Sequence, residues 1–128
     1  HLLPQEITTT AIIEVAPFLE SVRRVALVTD KTVPLRLEFA ENSLSLEAGA
    51  GEEAQATEAI EILLTGEPIS IAFNPVFLAD GLQAVGTSFV QISFTGSNKP
   101  AILSGKSERD GKVIENYRYL LMPMRYAS

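Results

Sequence analysis

Apolar and polar positions alternate along EITTTAIIEV, with Ile7, Thr9, Ala11 and Ile13 on one side, and this predicts an opening strand. The period then changes. In VAPFLESVRRVALV, residues Val15, Phe18, Leu19, Val22, Val25 and Ala26 fall on one face at about 100° per residue, and Pro17 suits a first helical turn. VPLRLEF and SLSLEA alternate strictly and are joined by a short turn at 40–43, which predicts a hairpin. A further strand is expected over 56–64, after the glycine-rich bend AGAGEE.

The same order then recurs. PISIAF reads as a strand and NPVFLADGLQAV as a helix, with Asn74 as N-cap and Pro75 at the first helical position. FVQISFT and PAILS read as strands, GKSERDGKVIE as a solvated loop, and NYRYLLMP as the closing strand. Strand, helix and three strands, twice over, predict an internal duplication within one α+β domain: two antiparallel sheets with two helices on one side. Pro17 and Pro75 are expected to be equivalent.

Two stretches do not fit a simple core. With Val15 at 0°, the apolar face of the first helix centres near about 340°, while Arg24 points near about 180° with Leu27 and Val28 on either side of it. Either the last turn frays or docks beneath a neighbouring loop, or this helix end meets another subunit. The second stretch is the terminal LLMPM, where Leu120, Leu121, Met122 and Met124 offer apolar atoms on both faces of a strand and Pro123 cannot donate to a ladder. It is either a buried tail or one wall of a groove for other side chains, a role that flexible methionines suit. Phe77, about 100° from the stripe of Leu78, Leu82 and Val85 on the second helix, points to the same second role.

Composition narrows the chemistry. The 128 residues, 46% apolar and 20% charged, suit one domain with its own core. There is no cysteine, and the single histidine is His1, so a thiolate nucleophile, a sulfur metal cage and an internal Ser–His pair are all absent. Among the sixteen acids, Glu20, Glu38, Glu47 and Glu61 fall at exposed phases, which leaves a carboxylate hydrolase the least favoured reading. GAGEEAQ lacks the spacing of a phosphate-binding loop. Adjacent Glu52 and Glu53 are the chain's candidate hard-cation ligands. No cofactor is expected. No apolar run approaches the length of a membrane span, and with no cysteine a cytoplasmic protein is expected. The net charge of −6 argues against generic nucleic-acid binding but leaves room for a local basic face.

YLLMPMR, together with GEPISIAFNPVFLADGL and VRRVALVTDK, closely resembles the third, C-terminal domain of the bacterial DNA polymerase III β sliding clamp, and most of all its actinobacterial members. The resemblance runs over nearly the whole chain. It implies the DNA-clamp fold and a non-catalytic processivity role in DNA replication. It also implies that residues 1–128 are the last third of a three-domain chain, with residues 1–4 ending an interdomain linker. Two such chains would close head to tail into a ring around duplex DNA. Implied partners are the polymerase III α subunit, the clamp loader and repair proteins, held through short QLxLF-like peptides.

Carried over by position, the peptide pocket would comprise Leu2, Asn74, Phe77, Asn98, Pro100, Leu120, Leu121, Met122, Pro123, Met124 and Arg125. Arg23 and Arg24 would face DNA, and Leu27, Val28, Glu58, Ile60 and Ile62 would form the dimer interface. The chain departs from the family in continuing past the MPMR arginine with Tyr126, Ala127 and Ser128, and in carrying Phe77 where tyrosine is frequent. The competing reading is a structural or oligomerisation module without a peptide pocket.

Overall fold

Strict alternation at Leu35–Phe39, buried at 35, 37 and 39 and exposed at 36 and 38, is what a strand needs when only one of its faces meets a core. The computed structural model describes residues 7–27, 34–48, 56–96, 99–108 and 113–124, with the backbone alone at 56 and 113–118. In chain order the elements are β1 (Thr9–Glu14), α1 (Val15–Leu27), β2 (Leu35–Phe39), β3 (Ser43–Ala48), β4 (Ala56–Glu61), β5 (Leu63–Gly66) and β6 (Ile69–Phe73). They continue with α2 (Pro75–Val85), β7 (Phe89–Phe94), β8 (Ala101–Lys106) and β9 (Val113–Leu121).

Two antiparallel sheets result, in the orders β5-β1-β7-β8-β9 and β4-β3-β2-β6. The duplication is real in space, and its halves are exchanged. β1 pairs with β7 of the second half, and β6 pairs with β2 of the first. Ile13 stands opposite Val90 as Phe73 stands opposite Leu35. Buried Phe18, Val22 and Val25 of α1 match buried Leu78, Leu82 and Val85 of α2. Phe39 and Phe94, equivalent in this scheme, meet with ring centroids 4.9 Å apart, as residues beside a two-fold axis should. The pairing matches Pro17 with Phe77 and Val15 with Pro75, so the two prolines are not equivalent. α1 and α2 pack against each other, α1 over β3 and β4 and α2 over β8 and β9.

Two expectations about element boundaries need correcting. The strand expected over 56–64 is broken at Ile62, which turns into the core while the chain passes from one sheet to the other. Its N–H donates to the Asn42 carbonyl at 3.2 Å, which anchors the crossing. The loop expected over 105–115 is partly ladder, since Gly105 pairs with Ile114 and Lys106 with Val113 beyond a bulge at Ser104/Gly105. The Thr87 hydroxyl holds that end by accepting the Lys106 N–H at 3.1 Å and donating to the Phe89 carbonyl at 2.8 Å. Lys106 is therefore buried rather than water-facing.

Gly66 closes the β5–β6 turn at φ +100°, where a Cβ would collide with the Thr8 carbonyl. The Thr9 hydroxyl, bonded to the Glu67 carbonyl at 2.6 Å, pins the same turn.

Candidate functional site

The start of α2 is built by its own sequence. Asn74, extended at φ −68° and ψ 124°, turns its side-chain oxygen onto the Val76 and Phe77 amides at 2.8 and 3.1 Å. Pro75 has no N–H to leave unpaired at the first helical position, and Gly86 ends the helix in the left-handed region at φ 64°. Leu78, Gly81, Leu82 and Val85 take the buried face, which leaves Val76 exposed and Phe77 57% exposed. Gly81 lets the helix sit low on β9, since a Cβ there would stand 2.9 Å from Tyr119 Cδ1.

The tail approaches the same end of β6 from the other sheet. Leu120 pairs with Ile102 and Leu121 with Ala101, so Met122 and Pro100 follow on at the same end of the two strands. Alternation then sorts the side chains: Leu120 is 58% exposed, Leu121 2% and Met122 60%. Pro123 interrupts the ladder, and the chain swings across to β6, where the Met124 N–H donates to the Ala72 carbonyl at 2.8 Å. That bond holds the tail two residues ahead of Asn74. An apolar strip of Leu120 and Met122 thus lies outside the core, and half-buried Pro123 and Met124 carry the chain on to the end of β6, which leads into the start of α2.

Leu121 is a correction to the expected lining. Its side chain belongs to the hydrophobic core and is 2% exposed. Ile62, expected at the dimer interface, is likewise core, because the sheet crossing points it inward. Ile60 is half-buried against the same core. Leu2, Val28, Asn98 and Arg125 lie outside the described residues. Pro100 is half-buried at the mouth of β8. Val76, next to Phe77 at the start of α2, is a further exposed apolar side chain that the helical phase of Phe77 alone does not bring out.

Arg24, expected to face DNA, is exposed and carries an ion pair. Its Nε and one terminal nitrogen each donate to a Glu58 carboxylate oxygen at 2.8 Å, a two-pronged pair tying α1 to β4. It also reaches the Ser21 hydroxyl at 3.3 Å. The hydrogen bond from Arg24 holds the Glu58 carboxyl below its ordinary range and raises the guanidinium in turn. Glu58, expected at the dimer interface, is the partner of Arg24 in this pair. Arg23 is exposed, and Leu27 stands 83% exposed at the end of α1. β4 is an outer strand of its sheet, with one edge unpaired among the described residues. No cluster of three or more metal-ligating side chains occurs among the described residues, and no described helix is long and apolar enough to cross a membrane.

The family model for the DNA polymerase III beta subunit, C-terminal domain, matches residues 1–125. The chain belongs to this family. It is 51% identical over 124 residues to the beta sliding clamp of Streptomyces coelicolor, covering 97% of the chain and 33% of that clamp. The DNA polymerase III beta subunit of Thermotoga maritima superposes with a TM-score of 0.81 at 25% identity, over 98% of the chain and 33% of the other. The Pseudomonas aeruginosa sliding clamp bound to griselimycin gives 0.79 at 26% identity, over 96% and 32%. The chain spans about a third of the length of these clamps, whose fold it shares. The actinobacterial flavour of its motifs agrees with the Streptomyces relative.

Proposed function

We propose that this chain is the third domain of a three-domain sliding clamp, residues 1–4 ending the linker, and that its tail and the start of α2 form a groove for QLxLF-like peptides. The carrying observation is the Met124–Ala72 bond, which folds an exposed Leu120–Met122 strip toward Phe77 instead of burying it. Val76, Phe77, Leu120 and Met122 are four of the six large apolar side chains standing exposed among the described residues. Such clustering marks a docking surface better than scattered exposure does. The griselimycin complex of the Pseudomonas clamp supports a ligand cleft in this fold.

In that role the domain does no chemistry. It tethers a polymerase, clamp loader or repair protein by a short segment, while the complete ring, a head-to-tail homodimer, encircles duplex DNA in the cytoplasm at the nucleoid. Exposed Arg23 is the phosphate-facing candidate, and Leu27 with the open β4 edge is the candidate contact for closing the ring. Fluorescence anisotropy of a labelled QLxLF peptide, titrated with the chain and with Met122→Ala or Phe77→Ala, tests the groove. Loss of about tenfold or more in affinity is expected for a buried anchor. Equal affinities for all three proteins would reject the groove.

A further inference from the structure

The internal two-fold that relates the halves also carries the tail groove onto a second place in the molecule. Met124 beside Ala72 corresponds to Leu63 beside Ile12, which are ladder partners of β5 and β1. Asn74 corresponds to Glu14, Phe77 to Pro17, and Met122 to Glu61. A cleft of about 620 Å³ is present at this place, lined by Glu14, Pro17, Ile60, Glu61, Ile62 and Leu63 among others. Its volume falls within the range that holds a small ligand or a few side chains.

Its chemistry differs from the groove's. Where the tail groove offers an amide and a thioether, this cleft offers two exposed carboxylates, Glu14 and Glu61, over an aliphatic floor that includes Ile62 and Leu63. The acids that do have basic partners among the described residues are Glu20, Glu38, Glu47 and Glu58. Glu14 and Glu61 have none there. An anionic rim around an apolar floor selects a segment carrying positive charge beside aliphatic side chains, and disfavours an acidic one by like-charge repulsion.

We infer that this cleft is a second docking site, for a short basic–aliphatic protein segment, on the opposite side of the internal two-fold from the tail groove. It does not require the tail groove to be occupied, so the two sites stand or fall separately.

The test is amide chemical-shift mapping on the isotope-labelled chain. The probes are a capped peptide of two leucines flanked by arginines and a twin with glutamates in place of the arginines. The arginine peptide is expected to shift Ile12, Ile62 and Leu63, and the twin to leave them unmoved. Glu14→Gln combined with Glu61→Gln should weaken the arginine peptide about tenfold, as should high salt acting on the unaltered chain. Absence of shifts at the cleft, or shifts confined to Phe77 and Met122, overturns the inference and leaves the tail groove untouched. Equal binding of the twin overturns it too. So do shifts at Ile62 and Leu63 that come from raising the chain's own concentration without peptide, since these assign the cleft to a second copy.

Discussion

Leu121 and Met122 are adjacent in the chain and opposite in role, so truncating each separates scaffold from site. Leu121 is 2% exposed within the core, and Leu→Ala at such positions removes transfer energy and leaves a cavity, together about 2–5 kcal/mol. For a domain of 128 residues the unfolding entropy is about 0.27 kcal/mol per degree, so a loss of 3 kcal/mol lowers Tm by about 10 °C. Met122 is 60% exposed. If full burial stabilises by about 1.5–3 kcal/mol, the covered two fifths account for about 1 kcal/mol at most, and Met122→Ala should move Tm by less than about 4 °C. The order reverses for binding, where Met122→Ala should weaken a QLxLF peptide by about 1–3 kcal/mol. Thermal and urea unfolding followed by circular dichroism, with anisotropy titrations on the same samples, read both effects. A Met122→Ala protein destabilised as much as Leu121→Ala, with peptide affinity unchanged, would show the tail to be interior and refute the reasoning.

Asn74→Ala removes the oxygen shared by the Val76 and Phe77 amides and should cost about 1 kcal/mol in urea unfolding, while Asn74→Asp retains most of it. Gly81→Ala should destabilise by about 1–3 kcal/mol despite better helix propensity, because the new methyl meets the Tyr119 ring, and Tyr119→Leu should relieve the loss. Glu58 has its folded pKa lowered, chiefly by the hydrogen bond from Arg24, so the pair's contribution is present above the ordinary glutamate range and is lost as pH falls through the lowered value. Arg24→Met should therefore flatten the acid side of the stability–pH curve and leave the neutral-to-alkaline side unchanged in shape.

Local order was legible in the chain wherever the signal is local. Asn74 and Pro75 announce a helix start because the cap is made within three residues, and the β2–β3 hairpin follows from alternation around a four-residue turn. The exposed phase of Phe77 follows from the helical angle in the same way. What stayed hidden depends on partners far along the chain. Residues 56–64 keep a strand's pattern throughout, yet Ile62 divides them between two sheets, a choice set by which strands wait on either side. Glu58 is expected only at the dimer interface, because nothing near it in sequence announces Arg24, 34 residues earlier, which the fold brings beside it. Leu121 and Met122 look alike in a strip that is apolar on both faces, and only the register with Ala101 decides which of them faces inward. Lys106 is concealed for the same reason, since nothing next to it in sequence reveals the Thr87 hydroxyl 19 residues away.

The exchange of opening strands between the halves bears on how the chain acquires its shape. β1 finds its β7 partner only once Phe89–Phe94 has been made, so the first repeat emerging from a ribosome has a vacancy in its sheet and none of its own strands to fill it. Assembly then needs ladder contacts about 80 residues apart, and high sequence separation of this kind goes with slow, cooperative folding. A protease cut between β5 and β6 would for the same reason leave two pieces still clasped through eleven cross-strand pairings, six from β1 and five from β6.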